Sequence, residues 1–143
     1  KTKTKDCDVV TLGKNIQQKY DARFNKYIID TVLIENQLGN IAPKMKSIQG
    51  MVIQYFIMKQ QDKIECISAT NKLKRFLEKG SKYAERKKKG MEVTKQSLDV
   101  HEELSEWKAH YESHTKKDDL ADSFLQGIWY IEHNILNAEY LKL

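Results

Sequence analysis

Two short apolar runs separated by a helical pattern constrain the fold of this chain more than any other feature. Residues 32–34 read Val-Leu-Ile, and residues 64–69 read Ile-Glu-Cys-Ile-Ser-Ala. The first run does not alternate with polar residues, which is typical of a strand buried on both faces. Between them, Pro43 suits the first turn of a helix. The order strand, helix, strand predicts a βαβ unit with a right-handed crossover.

Apolar spacing predicts further helices on both sides of this unit. Residues 14–29, 97–112 and 118–136 carry apolar side chains at three- and four-residue intervals. The basic stretch 79–92 lacks this period, so we expect a mobile surface loop there, or the start of a helix that orders on binding. Because 143 residues are the usual size of one domain, we expect residues 1–143 to form a single α/β domain.

The basic residues are concentrated in one part of the chain. The net charge is +5, and ten Lys or Arg lie between Lys72 and Lys95, where only three acids occur. A positive patch of this kind favours a polyanion such as nucleic acid. A solvated loop or a localisation signal would have the same composition. The candidate phosphate-binding residues are Lys72, Lys74, Lys82, Arg86, Lys87 and Lys88.

The composition also excludes several classes of protein. No apolar run approaches the roughly 20 residues that cross a bilayer, so we expect no membrane association. Two cysteines are too few for a disulfide scaffold or a four-cysteine zinc site. The cysteine content therefore favours a reducing, intracellular compartment.

Three carboxylates are candidates for metal binding. Glu35 follows the first apolar run, and ligands of open α/β sheets bind at the carboxyl ends of the strands. Asp119 and Asp122 lie three residues apart near the start of the last predicted helix, so both point from one face. Mg²⁺ is commonly held by one or two carboxylates together with substrate phosphates. Acids near a helix start also stabilise the helix dipole without any catalysis, so the spacing leaves both interpretations open.

Four segments of the sequence form a recognisable series, at residues 32–37, 67–74, 83–89 and 116–124. The most specific parts are Ile-Glu-Asn-Gln in the first segment and Asp-Asp-Leu-Ala-Asp-Ser in the last. In this order the four segments resemble the Holliday junction resolvases of poxviruses and their relatives. The resemblance implies a ribonuclease-H-like fold, a mixed sheet flanked by helices that is also seen in bacterial RuvC resolvases.

The resemblance also implies an activity and the residues that support it. The family consists of homodimeric endonucleases of DNA recombination and repair that use Mg²⁺, with Mn²⁺ as a substitute, to cut four-way junctions symmetrically. Four carboxylates hold the metal in that family, and Glu35, Asp119 and Asp122 match three of them. The catalytic lysine matches Lys88 or Lys89, and of the two we choose Lys89. A viral protein of this kind would be located in the host cytoplasm or the virion.

One part of the family pattern has no match in the sequence. The first catalytic acid of the family is an Asp on an N-terminal strand, and Asp6 and Asp8 occur too early for this role. We therefore expect the N-terminal strands of the fold to be missing from this sequence. Two other functions remain open: another ribonuclease-H-like nuclease acting on flaps, hybrids or transposon ends, and a basic DNA-binding protein without catalysis.

Overall fold

The computed structural model describes residues 8–77 and 80–141, which divide into two units. The first unit ends at Ser68 and the second begins at Ala69. No helix in these residues is both long enough and apolar enough to cross a bilayer. That residues 1–143 act as a single domain stays a prediction.

The first unit contains the predicted βαβ arrangement. Strands β1 (Val32–Glu35) and β2 (Ile64–Ile67) pair in parallel, with Val32 opposite Ile64 and Glu35 opposite Ile67. The side chains of Val52 and of several aromatic residues are buried with Val32 in one cluster. The elements in order are α1 (Val9–Phe24), β1 (Val32–Glu35), α2 (Pro43–Met58) and β2 (Ile64–Ile67).

The second unit is built from helices and turns in its described residues. Helix α3 (Tyr83–Val100) packs on helix α5 (Lys117–Ile131) at Gly90. A Cβ atom added there would lie 3.7 Å from Leu125 Cδ1. Leu125 belongs to a buried cluster with Leu73, Val93 and Ile128. The elements in order are α3 (Tyr83–Val100), a 3₁₀ segment (Glu102–Trp107), α4 (Lys108–Ser113), α5 (Lys117–Ile131) and a π-helical segment (Glu132–Leu136).

Helix α3 decides between the two alternatives for the basic stretch 79–92. The stretch is helical from Tyr83 onward, and Lys79 lies outside the described residues. The apolar period was not visible because the buried side of α3 begins only at Gly90, and the first two turns consist mainly of charged residues with Tyr83 exposed. Lys, Arg and Glu are nevertheless good helix formers, which is why these turns are helical.

A buried carboxylate fastens the end of the described chain to the turns at residues 71–77. Glu132 is only 6% exposed, and its Oε1 accepts the backbone N–H groups of Tyr140 at 2.8 Å and Leu141 at 3.1 Å. The same oxygen pairs with Arg75 Nη2 at 3.1 Å, and this nitrogen also donates to the Leu141 carbonyl at 2.8 Å. Arg75 therefore ties these turns to the C-terminal segment.

The predicted ribonuclease-H-like fold is wrong for the residues that the structure describes. A mixed sheet needs several strands in both directions, whereas the sheet here has two strands, and they are parallel. In the described residues, only the segments 32–35 and 64–67 form strands. Elsewhere the apolar residues recur with the helical period, which buries them on helices and leaves no further strands for a mixed sheet.

Candidate functional site

Glu35 lies at the carboxyl end of β1, as its position after the buried run predicts. Its side chain is half-buried, and Oε1 accepts a hydrogen bond from Gln37 Nε2 at 3.3 Å. The strand pairing continues one residue further, because the Asn36 N–H donates to the Ile67 carbonyl at 2.8 Å. The backbone before and after Glu35 is therefore held by pairing with β2.

A buried glutamine of α2 holds the turn that follows Glu35. Gln49 is 4% exposed, and its Oε1 accepts the Gln37 N–H at 3.1 Å and Lys46 Nζ at 3.0 Å. Its Nε2 donates to Cys66 Sγ on β2 at 3.1 Å. Gln49 was not among the predicted site residues. The signal for it was a polar side chain on the apolar face of an amphipathic helix.

A cleft of about 580 Å³ in the second unit brings together most of the predicted phosphate-binding residues. It lies between the turns at residues 71–77 and the first turns of α3. Leu73, Leu77 and Tyr83 give it an apolar surface. The predicted site residues that line it are Lys72, Lys74, Arg86, Lys87 and Asp122.

Asp122 is paired with a lysine that is largely shielded from water. Its Oδ1 lies 2.9 Å from Lys72 Nζ, and the Lys72 side chain is 10% exposed while that of Asp122 is 41% exposed. Shielding from water strengthens the attraction between the two charges. Lys72 is therefore held beside the carboxylate in this structure, although the sequence predicted a phosphate as its partner.

A second ion pair joins the start of α3 to the start of α5. Lys87 Nζ lies 2.5 Å from Asp118 Oδ2. The hydrogen bond from Lys87 lowers the pKa of Asp118, and the same bond raises the pKa of Lys87. Lys87 Nζ also lies 5.2 Å from the centre of the Tyr83 ring. Lys87 is thus fixed from two sides at the edge of the cleft.

The Asp118 carboxylate should stabilise the protein at neutral pH and cease to do so in acid. Its folded pKa lies below the ordinary value of 3.8, so the contribution is complete above that pH and is lost as the pH falls through the folded pKa. Urea unfolding of wild type and Asp118→Asn between about pH 2 and pH 7 measures this contribution. The difference in unfolding free energy should shrink toward acid pH.

A lysine variant provides the control for this measurement. In a Lys87→Met background, Asp118→Asn should lose most of the pH-dependent part of its effect, because the largest cause of the lowered pKa is gone. If the difference in unfolding free energy between wild type and Asp118→Asn stays constant across the pH range, the ionised Asp118 carboxylate does not stabilise the protein through Lys87.

Two further predicted residues do not line the cleft. Asp119 is exposed in the first turn of α5, which confirms its predicted place near the start of that helix. Lys82 precedes α3 as its N-cap residue, and its backbone N–H donates to Glu85 Oε2 at 2.8 Å. Their roles as metal ligand and phosphate-binding residue stay predictions.

The basic run of α3 presents Lys87 to the cleft, and the two lysines that follow do not line it. Lys88 is exposed, and Lys89 Nζ pairs with Glu92 Oε1 at 3.3 Å along the same helix. The choice of Lys89 as the catalytic lysine stays a prediction. The position of Lys87 in the cleft makes it a further candidate for the catalytic lysine. The sequence alone indicated only phosphate binding for this residue.

Helix α5 carries Asp119 and Asp122, two of the carboxylates that the sequence predicts as metal ligands. In the described residues, no three side chains of His, Cys, Asp or Glu lie close enough together to hold a metal. Two carboxylates are sufficient for Mg²⁺ when substrate phosphates complete its coordination, and Asp119 and Asp122 are oxygen donors of the kind that it prefers. Their chemistry fits Mg²⁺, although an ion at Asp122 would compete with Lys72.

A comparison with protein families identifies the family of this chain. The model of the family described as "Poxvirus A22 protein" matches residues 2–136. The chain therefore belongs to the poxvirus A22 protein family, which is the Holliday junction resolvase family of these viruses. This match confirms the resemblance found in the four sequence segments.

An uncharacterized protein of Acanthamoeba polyphaga mimivirus is 34% identical to this chain over 155 aligned positions. The alignment covers 92% of this chain and 36% of the mimivirus protein, so the chain spans about a third of that relative's length. No solved structure matches the chain significantly.

Proposed function

We propose that this protein is a Mg²⁺-dependent endonuclease that resolves four-way DNA junctions by paired, symmetric cleavage. The observation that carries the proposal is the cleft of the second unit, where four cationic side chains line the same surface as Asp122. Cations alone would suffice to bind a phosphate backbone. A carboxylate among them repels phosphate, so its presence in a nuclease family favours a role in hydrolysis.

Lys74 and Arg86 are proposed to bind the phosphates of the DNA. Both side chains are exposed and line the cleft. Arg86 Nε donates to the Ser81 carbonyl at 3.0 Å, which orients the guanidinium group. A guanidinium has five N–H donors, so this one contact is compatible with a two-point contact to phosphate.

Asp119 and Asp122 are proposed to hold Mg²⁺, and Glu35 is proposed as a third carboxylate that cleavage requires. The bound cation would supply charge stabilisation at the phosphate and a water of lowered pKa. Before substrate binds, Lys72 orients the Asp122 carboxylate and neutralises part of its charge. The ion pair reduces the repulsion between this carboxylate and polyanionic DNA.

A homodimer belongs to the proposal because a four-way junction presents two equivalent strands for cleavage. A closed two-fold assembly of one chain would offer two identical sites related by the same symmetry. Recognition is proposed to depend on the shape and the backbone of the junction, with little contribution from base sequence.

Cleavage of a synthetic four-way junction with each strand labelled in turn tests this function. We expect two nicks at symmetry-related positions on opposite strands, and no cleavage of a linear duplex of the same sequence. Preferred cutting of flaps, hybrids or transposon ends would instead identify another kind of nuclease. A single nick per junction would contradict the paired mechanism.

A DNA-binding protein without catalysis is the second candidate, and one observation favours it. The described residues contain no group of three metal-binding side chains. This candidate predicts junction binding that needs no divalent cation, and no nicks under any condition. The labelled-junction experiment therefore separates the two candidates.

The phosphate contacts should appear as a dependence of affinity on salt. Each phosphate contact contributes about −0.9 to the slope of log affinity against log salt concentration. Lys74→Ala and Arg86→Ala should each weaken junction binding and make the slope shallower by about one unit, for junctions of any sequence. Lys14→Ala, which removes an exposed lysine of α1, is the matched control and should change neither. Unchanged salt slopes in both Lys74→Ala and Arg86→Ala would show that these two side chains do not contact phosphates.

One lysine of the run 87–89 should affect the cleavage rate more than the affinity. A group that stabilises only the transition state changes turnover and not substrate binding. Single-turnover cleavage and junction affinity of Lys87→Ala, Lys88→Ala and Lys89→Ala, measured side by side, should identify it, and Lys89 is the predicted residue. Equal losses of rate and affinity in all three variants would show that the run only binds phosphate.

A further inference from the structure

We infer that Tyr83 is a stacking site for a DNA base that is unpaired at the branch point, beside the phosphate-binding side chains of the cleft. This inference rests on the proposed function and adds to it. It assigns a role to the ring that opens α3, whereas the proposed function concerns only the cations and acids around it.

Tyr83 is exposed in a way that is unusual for an aromatic side chain. At 73% exposure it is the most exposed Phe, Trp or Tyr in residues 8–77 and 80–141. A large ring left in water forgoes the burial that stabilises most aromatic side chains. Because Tyr83 lines the cleft, a ligand bound there can cover its ring.

The chemistry of the cleft calls for a ligand with both a charged and a flat apolar part. Leu73 and Leu77 lie in the same lining as Tyr83, among the lysines and Arg86. An inorganic phosphate would contact only the cations and leave this apolar surface uncovered. A nucleotide has a phosphate for the cations and a base for the ring, and a cleft of about 580 Å³ is of the size that holds small organic groups.

The Tyr83 ring is positioned before any ligand binds. Lys87 Nζ lies 5.2 Å from the ring centre, within the range of a cation–π contact. Lys87 is itself held in an ion pair with Asp118, so the cation that contacts the Tyr83 ring is fixed in place. Fixing a side chain in advance reduces the entropy lost on binding.

A branch point is the part of a DNA junction where a base is most readily available for stacking. Unstacking a base costs least where pairing is already broken or strained. Aromatic side chains accept any base, because every base has a π-face. Stacking on Tyr83 would therefore favour branched over linear DNA without adding sequence preference.

The test uses junctions that carry the fluorescent base 2-aminopurine, either at the branch point or within one arm. The full chain is titrated without divalent cations, and affinity is measured on the same samples. We expect wild type to change the fluorescence only of the branch-point probe. Tyr83→Ala should abolish that change and weaken binding about tenfold, as expected for one lost stacking contact, whereas Tyr83→Phe should preserve both.

Tyr27→Ala is the matched control. Tyr27 is an exposed tyrosine with Lys26 Nζ 5.1 Å from its ring centre, and it lies outside the cleft. This variant should behave like wild type. A branch-point signal that survives in Tyr83→Ala, or that is lost in Tyr83→Phe, would overturn the stacking role and leave the proposed function standing. Failure of wild type to bind any junction would refute both.

Discussion

Asp119→Asn and Asp122→Asn should each lower the rate of junction cleavage by at least about a hundredfold, the usual scale for losing a group that acts in the transition state. The amide retains the shape of the carboxylate and removes its charge, so junction affinity should stay within a few-fold of wild type. Single-turnover cleavage of a labelled junction measures the first quantity, and equilibrium binding measures the second. We expect the same result for Glu35→Gln.

Asp99→Asn is the matched control for these variants. Asp99 belongs to the same unit and pairs with Lys95 at 2.8 Å and with Lys108, but it does not line the cleft. Its replacement should leave the cleavage rate unchanged. Near-normal cleavage by Asp119→Asn or Asp122→Asn would remove that residue from the proposed metal site.

The two aspartates should differ in their effect on stability. Asp122→Asn removes a charge that pairs at 2.9 Å with Lys72, a side chain largely shielded from water, whereas Asp119 is exposed. Loss of a partner is costly for a shielded charge. Urea unfolding should therefore show Asp122→Asn to be the less stable variant, and Asp119→Asn is the cleaner test of catalysis.

Removal of divalent cations should abolish cleavage. Excess EDTA should bring nicking to background, and Mg²⁺ or Mn²⁺ should restore it. Ca²⁺ should support junction binding without efficient cutting, because its larger and looser coordination shell aligns the attacking group poorly. Full cleavage in EDTA would end the metal hypothesis. Asp119→Asn should also require more Mg²⁺ for its residual activity, a shift that a purely structural change would not produce.

Local sequence patterns predicted the strand–helix–strand part of the first unit well, whereas the helix predicted at residues 14–29 lies at Val9–Phe24. An uninterrupted apolar run, a proline at a helix start and a second β-branched run determine short-range structure, and β1, α2 and β2 follow them closely. The position of Glu35 at the end of β1 followed from the same reasoning. The placing of Asp119 and Asp122 in the first turns of α5 required only helical spacing.

The larger fold and the partners of the charged residues could not be predicted in this way. A family resemblance in four short segments implied a mixed sheet, but segments at strand ends and helix starts do not specify how many strands lie between them. The pairing of Lys72 with Asp122 joins residues 50 positions apart, and no local pattern encodes it. Gln49 contacts the turn after β1 through tertiary structure as well.

The attachment of Arg75 to Glu132 and to the Leu141 carbonyl has a consequence for genetics and protein engineering. The turns that carry Lys72 and Lys74 form no helix or strand themselves, and this attachment holds them together with the burial of Leu73 against α3 and α5. Substitutions of Glu132, or deletion of the residues that donate to it, would disturb from a distance the position of Lys74, which we propose to bind DNA. In a mutational screen such changes would score as defects in the proposed DNA recognition, although the altered residues do not line the cleft.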